Sequence, residues 1–356
     1  MQRKGDGRSG GPGALLGGRA RLTAREGKVL QKHSLRHRLE YVLLRTAVWV
    51  SNMLPLRIAL GLGSLLGWLA WRILRVRRGV CMTNLRMVFP SRSDEELDRI
   101  GLSSYRNVGR FVMEFARQPK LNERHFRRFV EVEEPDLLQR YLDLETGIIG
   151  LGFHFGNWEL MGVIQKMVGF NIHFLVGRQR NRLVDDFMNR LRASHGIGLI
   201  SMDSAMRRIV RITREGGLVC WLSDQDAGRD GLVVDFLGYP ASTPRGAARF
   251  SVKLGIPIMC GFLVRKRGPE QRLELSELLY SRTDLPPEEA ERDLTQRYTD
   301  ILAEMVRRHP EQYWWPHRRW KTTGLYRGNL ADGAGFRDIE RTGNRDRDER
   351  RVPDEE

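Results

Sequence analysis

Between Thr46 and Trp71 the chain carries one charge, Arg57, and Pro55 breaks the stretch beside it. The uncharged run that follows, IALGLGSLLGWLAW over 58–71, falls short of the roughly 20 apolar residues that span a bilayer. The two halves together reach that length if Arg57 extends its charged end toward the headgroups, or if the segment lies obliquely. Trp68 and Trp71, followed by Arg72, Arg75, Arg77 and Arg78, read as an interfacial belt with a basic collar. Residues 32–80 are therefore expected to be a helical membrane-attachment segment, with a buried helical hairpin as the alternative. Arginines flank both sides, so loop charge does not orient it.

From Ser93 the pattern changes. SDEELDRI begins a helix, with Ser93 as N-cap and Glu96 as its capping-box partner, and helical periodicity continues through Phe115. Beyond it, short apolar runs alternate with helix-like stretches: GIIGLGF at 147–153, FNIHFLV at 170–176, GLVCWLS at 217–223 and IPIMCGFLV at 256–264. Runs of that length between helices predict an α/β fold with a mixed, mostly parallel central sheet covered on both faces. Glu291 to His309 predicts one more amphipathic helix. The organisation expected is a disordered basic arm over 1–31, the attachment segment, a main domain over 81–325, and a disordered charged tail over 326–356.

Charge narrows the partners. The chain is 356 residues long with a formal net charge of +16, which favours anionic partners: acidic lipid headgroups, an acidic carrier protein or nucleic acid. A generally solvated basic surface has the same sign, and part of the charge lies in the terminal segments. No helix-turn-helix, RNP or zinc-finger pattern supports specific nucleic-acid binding. Cys81, Cys220 and Cys260 are far apart and form no CxxC, which argues against a zinc site and a disulfide framework. No motif implies a metal, nucleotide or redox cofactor.

The most informative stretch is GIIGLGFHFGNWELMG, 147–162. A buried strand ends at Phe153, and His154 stands at its exit. Gly156 permits a sharp turn, and Asn157 is a natural N-cap for a helix from Trp158. Glu159 then sits in the first turn, where the helix dipole favours a carboxylate. The loop length lets one imidazole nitrogen meet Glu159 while the other faces a cleft, an arrangement able to deprotonate an alcohol. A structural histidine at a strand end has the same spacing.

HFGNWE is an H-x4-E motif, and its surroundings resemble the bacterial lipid A biosynthesis (lauroyl/myristoyl-type) acyltransferase family. The resemblance covers about residues 40–325. It includes NLRMVFP at 84–90, VGRQRNRLVDDFMNRLRASHGIGLI at 176–200, the block beginning SDQDAGRDG at Ser223, and PEQYWWPHRRWKT at 310–322. It implies His154 as general base, Glu159 as its charge partner, and Arg192 in R-x3-G as the cation for an oxyanion or phosphate. Arg178 and Asn181 are expected to line the same cleft, although Gln179 stands where relatives often have proline. Asp224 and Gln225 fall at a strand end, the usual ligand edge, with catalytic and structural roles both open. Thr243, Gly246 and Arg249 suggest either a helix-start phosphate site or a structural turn. Trp314, Trp315 and Trp320, interleaved with Arg318 and Arg319, suit either a membrane-facing lip or burial.

The resemblance further implies an acyl thioester donor, on acyl carrier protein or coenzyme A. The acceptor would be a phosphorylated glycolipid such as a lipid A precursor, and the location the cytoplasmic face of a bacterial inner membrane. Acyltransferases for glycerolipids or for a mannosylated phosphatidylinositol are nearby alternatives that tend to carry Asp as the motif's acid.

Overall fold

Pro55, which has no N–H to donate, separates helix α1 (Leu35–Met53) from helix α2 (Leu56–Arg72). The structure, a computed structural model, describes residues 34–202 and 205–326. The expected arm over 1–31 and the tail from 327 onward lie outside the described residues.

α3 (Arg78–Val88) leads to α4 (Asp94–Ala116), whose start has the predicted capping box: Glu96 N donates to Ser93 Oγ at 3.3 Å and Ser93 N donates to Glu96 Oε2 at 2.9 Å. α2 lies directly along α4. A side chain on Gly63 would strike the backbone of Gly109, and one on Gly67 that of Tyr105, so glycine is what permits this approach.

After α5 (Glu123–Phe129), β1 (Val130–Val132) and α6 (Pro135–Leu142) the chain alternates strand and helix. The sequence runs β2 (Ile148–Gly152), α7 (Trp158–Met167), β3 (Ile172–Val176), α8 (Arg182–Ala193), β4 (Gly198–Ser201), α9 (Ala205–Arg214) and β5 (Leu218–Leu222). A hairpin, β6 (Leu232–Phe236) and β7 (Tyr239–Thr243), turns through Leu237 and Gly238, both with positive φ. Then come α10 (Gly246–Leu254), β8 (Ile258–Arg265), β9 (Gln271–Leu275) and α11 (Pro287–Arg308).

The seven-stranded sheet has the order β1-β9-β8-β2-β5-β3-β4, and β8–β9 is its one antiparallel pair. This is the mixed, mostly parallel sheet that the apolar runs predict. β2 and β8 are buried at every position, as central strands covered by helices must be. α7 and α11 illustrate the two faces: Leu160, Val163 and Ile164 pack in one apolar cluster, Leu294, Tyr298 and Leu302 in another.

The attachment segment differs in part from expectation. No described helix is long and apolar enough to cross a membrane. Trp71, read as part of an interfacial belt, is fully buried, and its Nε1 donates to Asp98 at 3.1 Å. Arg72 and Arg78 of the collar pair with the same carboxylate, each at 2.7 Å. α2 buries Ala59, Leu60, Gly63, Gly67 and Trp71 as the hairpin alternative requires. Its other side, however, exposes Ile58, Leu65 and Leu66, and α1 exposes Leu39, Val42, Leu43 and Trp49.

Candidate active site

Register decides what meets His154. β2 and β5 run parallel with Gly152 opposite Leu222, so the residues two steps past each strand end, His154 and Asp224, stand side by side. Asp224 Oδ1 lies 2.8 Å from His154 Nδ1, and Asp224 Oδ2 accepts from the His154 backbone N–H at 2.9 Å. One carboxylate thus fixes both the ring and the turn that carries it. Gln225 Nε2 lies 3.2 Å from His154 Nε2.

The turn is held from several sides. Gly156 has φ of +55° and abuts the Leu263 carbonyl, so a β-carbon there would clash. Gly156 N donates to Gln312 O, and Trp314 N donates to His154 O, both at 2.9 Å. Asn84 ties that C-terminal segment to α3 by donating to the carbonyls of Trp315 and His317 at 2.8 and 2.9 Å. Asn157 caps α7 as expected, accepting from Leu160 N at 3.1 Å. Its amide donates to Glu114 Oε2 at 2.6 Å, and Glu114 is gripped by buried Arg265 at 2.8 Å.

Glu159 is not the partner of the His154 ring. It forms a two-pronged pair with Arg192, at 3.0 Å from Nε and 2.6 Å from Nη2, while Asn189 takes a third donor at 3.0 Å. The physical reason is direction. Glu159 lies in the first turn of α7 and its carboxylate meets α8, whereas the ring turns toward the end of the neighbouring strand. Glu159 still acts on the imidazole through charge. Burial lowers the His154 pKa, but Asp224, by charge and hydrogen bond, and then Glu159, by charge, raise it above the ordinary 6.5. Burial raises that of Asp224, and His154, by charge and hydrogen bonds, together with the charge of Arg319, outweighs this, leaving Asp224 below its usual range.

A cavity of about 550 Å³ is lined by Gly152, Trp158 and Glu159 from either side of the His154 turn, but not by His154 or Asp224 themselves. Glu159 and Arg192 supply its polar wall; Trp158, Met161, Phe174, Trp221, Leu222 and Phe250 make much of the rest. The Trp158 ring lies 5.1 Å from that of His154 and stacks on Phe111 at 4.1 Å, so the imidazole is one ring removed from the apolar space that Trp158 lines. Cys220 also lines the cavity, but burial pushes its thiol well above its ordinary pKa, making it a poor nucleophile.

The other expected residues divide. Gln179 lines the cavity, with Arg178 beside it on an exposed loop. Asn181 does not line it: it caps α8 and donates to His37 O at 2.9 Å and Glu40 at 3.0 Å, tying α8 to α1. Thr243 is fully buried and accepts from Arg319, which is structural rather than phosphate-binding geometry. Gly246 lines the cavity, while Arg249 is exposed and outside the lining. The membrane-facing lip fails for its main members: Trp315, Trp320 and Arg319 are buried. Arg319 Nη1 instead donates to Ser242 O at 2.6 Å. No group of described residues could hold a metal ion.

An imidazole oriented by a carboxylate at the C-terminal edge of a parallel sheet, one aromatic ring away from an apolar cavity, suits a transferase that activates its acceptor's own hydroxyl. Residues 30–322 match the family described as bacterial lipid A biosynthesis acyltransferase, and the chain belongs to that family of O-acyltransferases. It is 27% identical to the lipid A biosynthesis palmitoleoyltransferase of Escherichia coli (strain K12) over 292 residues, covering 80% of this chain and 91% of that protein. The lauroyltransferase of the same organism is 26% identical, covering 77% and 89%. A phosphatidylinositol mannoside acyltransferase of Mycobacterium tuberculosis (strain CDC 1551 / Oshkosh) is 24% identical, covering 63% and 71%.

Proposed function

We propose that this protein moves a fatty acyl group from a carrier-protein thioester to a hydroxyl of a phosphorylated glycolipid of the lipid A precursor class, with His154 as general base. The observation that carries the reading is the 2.8 Å contact between His154 Nδ1 and Asp224, with Trp158 standing between the imidazole and the apolar cavity. With the Nδ1 proton directed at Asp224, the Nε2 lone pair accepts from the Gln225 amide at 3.2 Å, and the acceptor hydroxyl takes that place when it binds. His154 takes the hydroxyl proton as the oxygen attacks the thioester carbonyl. The C–S bond then breaks, and the imidazolium returns the proton to the leaving thiolate.

Asp224 replaces Glu159 as the group that orients the base and steadies its charged form. Glu159 holds Arg192 at the cavity wall. Three of Arg192's five N–H groups are engaged by Glu159 and Asn189, leaving two for the oxyanion or a substrate phosphate. The apolar lining suits the acyl chain. The exposed apolar residues of α1 and α2, near arginines such as Arg45 and Arg57, suit attachment to the cytoplasmic face of the inner membrane without a crossing helix.

The mycobacterial relative favours a second acceptor, a mannosylated phosphatidylinositol. Mass spectrometry of membrane lipids from cells with and without the protein decides between them. A lipid A species lacking one acyl chain supports the first reading, a mannoside lacking one supports the second, and unchanged lipids refute both.

A further inference from the structure

Helix α9 is sharply two-sided. Ile209, Ile212 and Thr213 are buried, the two isoleucines packing with Ile200 of β4 and Val219 of β5. The opposite side presents Arg207, Arg208, Arg211 and Arg214, all exposed. Helices elsewhere neutralise arginines one turn away, as in Arg36–Glu40, Arg127–Glu123 and Arg297–Asp293. None of the four on α9 forms an ion pair with a described residue. Within α9 there is no acid; Glu215, which follows the helix four positions after Arg211, forms no ion pair with it, so four like charges hold a local repulsion that an anionic partner relieves.

Its place gives the charge a direction. Met202 and Ala205, just before and at the start of α9, line the cavity beside the Glu159–Arg192 pair. Met206 is exposed next to them. A partner seated on the arginine stripe therefore sits at the cavity opening. A lipid surface fits poorly, because a membrane-bound helix inserts its apolar face, whereas Ile209 and Ile212 are committed to the core. The exposed apolar residues that suit lipid lie instead on α1, α2 and at Ile73, Leu74 and Val76.

We infer that Arg207, Arg208, Arg211 and Arg214 form the docking surface for the acidic carrier protein that delivers the acyl thioester, a step that rests on the carrier-bound donor proposed above. Charge complementarity at such a rim governs encounter and salt dependence. The carrier's acidic face lies along α9, and its prosthetic arm enters past Met202 and Ala205 toward His154.

The experiment compares one acyl group on two donors, acyl carrier protein and uncharged pantetheine, using the full chain and its R207E/R208E/R211E variant. The ratio of kcat/KM for the carrier donor to that for the pantetheine donor should fall about tenfold or more in the variant. The wild-type carrier reaction should also weaken with salt more steeply than the pantetheine reaction. An unchanged ratio overturns the docking surface, whether both donors hold or decline together. Lost binding to phosphatidylglycerol vesicles with an unchanged ratio assigns the stripe to lipid and overturns it as well. If the wild type uses the pantetheine donor but not the carrier donor, the docking inference falls while acyl transfer stands. If it uses neither, the proposed function itself falls.

Discussion

His154 Nδ1 and Asp224 Oδ1 lie 2.8 Å apart although 70 positions separate them in sequence. The same aspartate holds the His154 backbone N–H at 2.9 Å. Asp224→Asn keeps the size but turns an acceptor-only group into one that can donate, disturbing the tautomer and its imidazolium. We expect kcat to fall by roughly 10²–10⁴-fold, with KM for the acyl donor nearly constant. Near-normal turnover, measured by acyl transfer in detergent micelles, would remove Asp224 from the mechanism.

The proposed base, His154, can take a proton only when neutral, so kcat/KM should rise with pH through an inflection above the ordinary histidine value of 6.5, because Asp224 and Glu159 together outweigh burial. Removing the aspartate leaves the opposing effect of burial in command. The inflection of Asp224→Asn should therefore move to lower pH, on a lower plateau. Glu159→Gln should move it the same way by less, since Glu159 acts on the ring through charge alone. A pH–rate profile of the three proteins tests the order.

Arg192 and Glu159 can be separated by a double-mutant cycle. Arg192→Ala should lower kcat by about 10²–10³-fold if it supplies an oxyanion donor. It should also destabilise the fold by about 3 kcal/mol, because Glu159 is left buried without its partner. Adding Glu159→Gln should restore thermal stability without restoring turnover. Recovery of both would show that the arginine only neutralises the glutamate.

Glu114 lies outside the reacting groups, yet it grips Arg265 and Asn157 together. Glu114→Ala strands a buried guanidinium and frees the N-cap that presents Glu159, so a loss of about 3–5 kcal/mol is expected. Calorimetric melting of the variant checks it; an unchanged Tm would contradict the pairing.

Phe250 is one wall of the cavity, packed edge-on to Trp221 at 6.1 Å. Phe250→Ala should enlarge the space and move donor preference toward longer chains. Competition among donors of different length, read by product mass, tests this. An unchanged product distribution would place the chain elsewhere.

Much of this was legible in the chain itself. The apolar runs at 147–153, 170–176, 217–223 and 256–264 correspond to β2, β3, β5 and β8, and the caps at Ser93 and Asn157 are where side-chain chemistry places them. Local signals succeed because their partners lie within a turn or two. The edge strands β1 and β4 are short, and the β6–β7 hairpin turns through Leu237 and Gly238 without an Asn-Gly or Asp-Gly signal. The partner of His154 was hidden for another reason. Glu159 is close in sequence, but parallel register brings Asp224 closer in space, and no local pattern records which strand lies beside which. The tryptophans near the C-terminus were ambiguous because amphipathic rings and arginines suit a lipid boundary and a buried cation–aromatic layer alike. Arg319, 5.2 Å from the Phe236 ring centre, belongs to the second.

The backbone bonds from Gln312 and Trp314 to the turn around His154 have a temporal consequence. A ribosome releases α1 and α2, with their exposed apolar side chains, long before it reaches residue 312. The turn that bears His154 acquires these backbone partners only once residues 312–314 have emerged. A product truncated before Gln312 would therefore keep α1 and α2, with their exposed apolar side chains, but lack both backbone braces on the His154 turn.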